Sequence, residues 1–167
     1  MDSLAAVDLF AKGQSVLDIG TGAGFPGLPL KLYHPSLSMV LIDGSRKKVN
    51  FVSHLIRLFA LQDIAACQIR SEHLGTDKIQ RQAYDVVVSR AVCSLADLVL
   101  EGRNFVKPQG RILAWKAARA DQERDELLSL AEADVLDDAV SMRLAIEQKK
   151  YELPGFEEKR TLVIVNL

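Results

Sequence analysis

Residues 15–27 read Ser-Val-Leu-Asp-Ile-Gly-Thr-Gly-Ala-Gly-Phe-Pro-Gly, a short β-favouring run that opens directly into a glycine-rich loop. Few features constrain a fold as tightly. Glycines at alternate positions (Gly20, Gly22, Gly24) permit positive φ and carry no side chain, so a ligand can lie against the backbone. Such loops work at the carboxyl end of a buried strand, with a helix following. Pro26 suits the first turn of that helix. Asp43 falls at the end of the next apolar run, where a carboxylate can accept two hydrogen bonds from a ribose diol.

The rest of the chain repeats the rhythm. Residues 15–19, 38–42, 64–69, 84–89 and 111–115 are nearly continuous apolar runs, as expected of strands covered on both faces. Between them, Ser45 is placed to cap a helix in which Val49, Val52, Leu55, Ile56 and Phe59 recur at helical spacing. Residues 95–106 read as a further helix, stopped by Pro108 and Gly110. Alternation of this kind predicts βαβ units and a parallel sheet. The tail departs from it. Residues 141–152 and 161–166 read as two strands joined by Pro154-Gly155, which predicts a terminal antiparallel pair. The expectation is one α/β domain over residues 1–167, Rossmann-like, with a seven-stranded, mostly parallel sheet.

Composition narrows the class. Hydrophobic residues make up 49% and charged residues 26%, the balance of a globular chain with a real core. No run approaches the roughly 18 apolar residues that cross a bilayer, and the N-terminus lacks a basic leader; a cytoplasmic location is expected. Cys67, Cys93, His34, His54 and His73 fit no metal-ligand spacing, so no metal is expected and the cysteines read as buried thiols. A net charge of −1 argues against a strongly basic nucleic-acid binder. Residues 121–138 alone carry −7, however, leaving +6 on the remainder. An acidic helix face beside a mildly basic surface leaves one side able to approach phosphates.

Taken literally, Gly22-x-Gly24-x-x-Gly27 also matches a dinucleotide fingerprint, with Asp43 at about the expected distance. The register argues against it. Counted from the strand, Gly20 is the first glycine and Phe25 the sixth position, too bulky for the close helix–strand contact made there. The pattern running from Asp18 through Gly20, Gly22 and Gly24 instead resembles the loop of class I methyltransferases. That resemblance implies a loop around the methionine part of S-adenosylmethionine, and a ribose held by Asp43.

The likeness extends further. Gly22-Ala23-Gly24-Phe25-Pro26-Gly27-Leu28-Pro29-Leu30 is similar to the bacterial 16S rRNA guanine-N7 methyltransferases, the glucose-inhibited division protein B family. In the same order come Leu41-Ile42-Asp43 with Lys47-Lys48-Val49, then Arg70-Ser71-Glu72, then residues 84–92 with Ser89-Arg90-Ala91. Leu113-Ala114-Trp115-Lys116 and Arg160 complete the match. The family usually carries a helical segment before the equivalent of Asp2-Ser3-Leu4, which is largely missing here, and some members carry a basic C-terminal extension. The resemblance implies methyl transfer from S-adenosylmethionine to N7 of a guanine in 16S ribosomal RNA or the small subunit; a monomer is expected. It implies cofactor contacts at Asp18, Gly20, Gly22, Gly24, Phe25, Asp43 and Arg90, with Ser71 and Glu72 on the adenine.

The residues support that chemistry. The fourth run ends in Ser89-Arg90-Ala91, without the Pro-Pro-aromatic box of amino-group methylation, and no Pro-Cys stands there for covalent catalysis. Guanine N7 needs neither device, because its in-plane lone pair is already nucleophilic. Direct in-line displacement then depends on alignment. Arg90 and Lys116 are the candidates for positioning the base, as cationic donors to O6 or a flanking phosphate. Arg160 is a further candidate for RNA contact, Trp115 reads as core, and Lys47 and Lys48 read as a solvated helix face. Two other readings share the cofactor residues: a methyltransferase acting on a small molecule or protein, and a non-catalytic cofactor-binding module in ribosome assembly. A nicotinamide oxidoreductase is the weaker alternative.

Overall fold

The valines at 86–88 explain the continuous apolar runs. In the computed structural model, which describes residues 1–69, 81–90, 93–132, 144–156 and 159–167, Val87 packs into one core. Val86 and Val88 pack into a second core on the other side of the sheet, the alternation of a strand buried on both faces. The strands are β1 (Ser15–Ile19), β2 (Ser38–Asp43), β3 (Ile64–Gln68), β4 (Tyr84–Arg90), β5 (Val106–Lys116), β6 (Ala145–Tyr151) and β7 (Arg160–Asn166). They form one seven-stranded sheet in the order β3-β2-β1-β4-β5-β7-β6. Neighbours from β3 to β5 pair in parallel, while β7 pairs antiparallel with both β5 and β6. This is the Rossmann-like sheet with a terminal antiparallel pair that the patterning predicts.

Helices cover the two faces unequally. A short 3-10 helix (Asp2–Leu9), α1 (Gly27–Tyr33) and α2 (Arg46–Leu58) lie on one side. There Ala6, Leu28, Leu30 and Val52 pack against Val16, Leu41 and Val88. On the other side α3 (Leu95–Gly102) and α4 (Ala120–Glu132) bring Leu98, Val99 and Leu127 onto Leu17, Val87 and Ile112. Lys31 of α1 is fully buried; its ammonium donates to the carbonyls of Pro35, at 2.8 Å, and Leu37.

Three local expectations are corrected. The helix beginning at Leu95 stops at Gly102, not at residue 106, and Val106 already starts β5. Gly102 presses against the sheet, where an added Cβ would come within 3.0 Å of Ile112 Cδ1. Pro108 and Gly110, expected as helix stops, lie inside β5. The β4–β5 pairing jumps from Tyr84↔Val106 to Val86↔Arg111, so a bulge holds the prolyl nitrogen out of the ladder. Finally, Ser45 occupies the N-cap of α2 but its hydroxyl makes no capping bond. Asp43 Oδ1 instead accepts the Ser45 N–H at 2.8 Å. Of the acidic run, Asp134, Asp137 and Asp138 lie outside the described residues.

Candidate functional site

The strand order reverses between β1 and β4, and ligands of open α/β sheets collect outside the carboxyl ends of strands at such a point. The glycine loop leaves β1 there. Gly20, Gly22 and Gly24 have φ of 71°, 61° and 96°, the left-handed region that side chains disfavour. The Thr21 N–H donates to the Ile42 carbonyl at 2.9 Å, and Gly24 and Phe25 N–H groups return to the Thr21 carbonyl. An added Cβ at Gly22 would meet only the Gly20 carbonyl oxygen, at 4.0 Å. The loop therefore offers a bare backbone surface to a ligand.

Asp18 holds this loop from beneath. Its Oδ2 accepts the Thr21 hydroxyl at 2.7 Å and the Gly27 N–H at 2.9 Å, while Oδ1 is buried without a hydrogen-bond partner. The residue is fully buried, and burial drives its pKa up to about 7 against the pull of Thr21, Gly27 and Arg90. Gly27 explains why the loop can close so tightly. A Cβ there would lie 2.7 Å from Asp18 Oδ2 and 2.9 Å from Leu41 Cγ. The close helix–strand glycine is thus Gly27; Phe25, which register assigned to that position, is 41% exposed on the rim.

Asp43 ends β2 facing the loop. Its Oδ2 accepts the Gly22 N–H at 3.0 Å, and Lys48 Nζ stands 3.5 Å from the same oxygen. Oδ1, which accepts only the Ser45 N–H, has a second lone pair available, and the long Lys48 contact leaves Oδ2 open to exchange. The bare glycine backbone and the Asp43 carboxylate form a cradle suited to a cationic nucleoside, with the buried Asp18 carboxyl beneath it. Ser71 and Glu72, expected on the adenine, lie outside the described residues, as does Arg70.

Arg90 ends β4 beside the loop. Its guanidinium carbon lies 5.0 Å from the centre of the Phe25 ring, a cation–π stacking distance, and its Nη1 is 3.3 Å from Asp2 Oδ2. On the far side of Arg90 opens a cleft of about 740 Å³, lined among others by Asp2, Trp115, Arg119, Tyr151 and Arg160. Lys116 borders it with its charge committed. Nζ donates to the Cys93 carbonyl at 2.6 Å and pairs with Glu123 Oε2 at 2.7 Å, both side chains being largely buried. Glu123 also accepts the Leu95 N–H at 2.8 Å, so the pair ties the end of β5 to α3 and α4. Trp115 is core, 2% exposed, and its indole donates to the Asp2 carbonyl at 2.9 Å. Cys93 is half-buried, and burial together with Glu101 pushes its thiol up to about 11; it is no nucleophile at neutral pH.

Asp2 and Tyr151 escaped the sequence reading. Asp2 stands near the N-terminus and Tyr151 within the predicted strand over residues 141–152, and no local pattern singles out either. Only the folded sheet brings them together. Among the described residues no group of acids, cysteines or histidines could hold a metal, and no helix is long and apolar enough to cross a membrane.

Residues 1–151 match the family model described as rRNA small subunit methyltransferase G. Proteins named ribosomal RNA small subunit methyltransferase G from Roseiflexus castenholzii and Lactobacillus helveticus are 36% and 34% identical over 91% and 95% of the chain. The chain spans 62% and 63% of their respective lengths. Among solved structures, a predicted O-methyltransferase from Agrobacterium tumefaciens superposes with TM-score 0.74 at 17% identity, covering 99% of this chain and 80% of that one. TYW2 from M. jannaschii, solved in complex with AdoMet, gives 0.72 at 17%, covering 99% and 73%. These two likenesses establish the class I methyltransferase fold.

Proposed function

The chain belongs to the rRNA small subunit methyltransferase G family, and from that premise we propose that it methylates N7 of a guanine in 16S ribosomal RNA with S-adenosylmethionine as donor. The observation that carries the reading is the match of the family model over residues 1–151, which takes in the glycine loop, Asp43, Arg90 and Lys116. When bound, S-adenosylmethionine supplies an electrophilic methyl group on a sulfonium centre. The residues divide the remaining work. Gly20, Gly22 and Gly24 present backbone to the donor, with Phe25 at the rim. Asp43 takes the ribose hydroxyls on lone pairs left over from Gly22 and Ser45. Asp18, without open surface, serves by fixing the loop. Ser71 and Glu72 are assigned to the adenine.

The acceptor side lies beyond Arg90. The cleft between the ends of β4, β5 and β6 would take the guanine, with Arg90 donating to O6 and leaving N7 to face the methyl group. Arg119 and Arg160, which line the same cleft, would take flanking phosphates. No proton has to leave N7 first, so the residues supply alignment rather than a general base. Lys116 serves this cleft by tying the end of β5 to α4 through Glu123 and to the Cys93 carbonyl. A guanine within folded RNA must be exposed or turned out of its stack to enter. The protein is expected to act in the cytoplasm on rRNA or the small subunit, as a monomer without a metal.

The test uses methyl-labelled S-adenosylmethionine and small ribosomal subunits from cells lacking this modification. Digestion and mass spectrometry should yield 7-methylguanosine. A different methylated nucleoside would replace the acceptor assignment and leave the donor site standing; no transfer at all would overturn the reading.

A further inference from the structure

Asp2 makes three directed contacts at the cleft. Its Oδ1 accepts the Tyr151 hydroxyl at 2.5 Å, its Oδ2 stands 3.3 Å from Arg90 Nη1, and its carbonyl accepts the Trp115 indole N–H at 2.9 Å. Those partners come from β6, β4 and β5. Asp2 is thus a point at which three strand ends and the N-terminal 3-10 helix meet on the rim of the cleft. Its side chain is 20% exposed and that of Arg90 36%, so the pair is partly shielded rather than solvated.

The consequence for Arg90 is geometric. A guanidinium 5.0 Å from the Phe25 ring centre is held near the loop by an attraction that does not fix the direction of its N–H groups. Hydrogen bonding to Asp2 removes that freedom, because a carboxylate accepts along defined directions. Tyr151 in turn fixes the carboxylate. Burial first, then the hydrogen bond and charge of Asp2, hold the Tyr151 phenol well above its ordinary pKa, while Arg160 and Arg90 oppose the shift. The hydroxyl therefore remains a donor to Asp2 throughout the neutral range.

We propose that Asp2 is a positioning residue for methyl transfer: with Tyr151 as its anchor, it sets the orientation of Arg90 between the glycine loop and the acceptor cleft. This rests on the reading of the cleft as the acceptor site. It assigns Asp2 no contact with the donor. Its effect belongs to the rate of the aligned complex, not to the affinity for either substrate.

The test compares the native protein with Asp2→Asn, Asp2→Glu and Arg90→Ala in the methyl-transfer assay on small subunits. Donor affinity by calorimetry, melting temperature and emission of Trp115, the single tryptophan of the chain, are recorded alongside. In Asp2→Asn the backbone carbonyl stays on the Trp115 indole, so emission should not shift. Its kcat should fall roughly tenfold or more, with KM for the subunit and donor affinity changed by less than about threefold. Asp2→Glu should recover part of the loss, and Arg90→Ala should show a loss at least as large as Asp2→Asn. An active native protein whose Asp2→Asn variant turns over at the native rate overturns the role of Asp2 alone. So does a variant in which donor affinity and melting temperature fall together with a red-shifted Trp115, because that pattern marks general support of the fold. A native protein that transfers nothing overturns the reading of the reaction and this role with it.

Discussion

Replacing Asp18 with asparagine should flatten the pH dependence of stability of the unliganded protein. In an unfolded chain an aspartate titrates near pH ~3.9; in the fold, burial raises Asp18 to about 7. The folded state therefore keeps a proton that the unfolded state has already released. Between about pH 4 and pH 7 the unfolded chain binds fewer protons, so stability contributed by Asp18 is complete below the lower value and is lost as pH rises through the upper one. About three units of difference correspond to a loss on the order of 4 kcal/mol. For a chain of this size that is roughly 10 °C in melting temperature. The substituted asparagine would keep an acceptor for the Thr21 hydroxyl and Gly27 N–H but cannot ionise. It brings two buried donors, which lower its stability by about 1–3 kcal/mol at every pH. Melting curves of both proteins from about pH 4 to pH 8 give the difference, in which every other titrating group cancels. That difference should move by several kcal/mol in favour of Asp18→Asn as pH rises. Parallel curves would refute the argument, since they would mean that Asp18 is already ionised in the fold at the acid end of the range or is not desolvated.

The other predictions concern the same two rims. Asp43→Ala should weaken S-adenosylmethionine binding by roughly 1–3 kcal/mol, the worth of lost charge-assisted hydrogen bonds; unchanged affinity by calorimetry would remove the ribose from β2. Lys116→Met should cost roughly 3 kcal/mol in urea denaturation, because Glu123 would be left largely buried without its cation. Donor affinity should stay within about threefold in that variant, and a stability loss below about 1 kcal/mol would show that the pair is not what holds β5 to α4. Since a cationic donor beside the loop favours the charged form of Asp18, binding near neutral pH should release a proton. Calorimetry in buffers of differing ionisation enthalpy measures it, and an absent buffer dependence in the native protein would place the donor's charges away from Asp18.

What the sequence made legible, and what it hid, follows from the range of each interaction. The cradle is local. Asp18, Gly20, Gly22, Gly24 and Gly27 lie within a single short segment, so their spacing alone describes a turn that frees backbone, and Asp43 follows one strand later. The sheet was legible as well, because burial on both faces makes a strand apolar throughout. Residues 95–106 misled for a related reason. Phe105 and Val106 are buried at the start of β5, and a burial signal cannot say whether a helix or a strand carries it. The literal fingerprint glycine, Gly27, was set aside by counting from β1, whereas its task depends on where Leu41 of the neighbouring strand lies. Lys116 and Asp2 illustrate the long-range limit. A lysine at a strand end looks the same whether it faces RNA or a largely buried glutamate on the next helix. Nothing in Asp2 announces Tyr151, whose hydroxyl it meets across nearly the whole chain.

The same topology explains why the end of β4 lies between the glycine loop and the cleft. β1 and β4 are adjacent, yet the connection after β1 crosses toward β2 and the one after β4 toward β5. The chain therefore diverges after the two strands, making the glycine loop after β1 and bringing Cys93 and Ser94 to the cleft after β4. A side chain at the end of β4 is the nearest point to both. Ser89, one residue earlier, is buried and donates its hydroxyl to the Ile19 carbonyl at 2.9 Å, which locks the two strand ends where they part. With that joint rigid, the orientation left to determine is that of the Arg90 guanidinium itself. Phe25 of the cradle and Asp2 at the cleft each restrain one side of it. On this view, loss of either restraint should leave the donor bound and the acceptor cleft intact while misaligning the group between them.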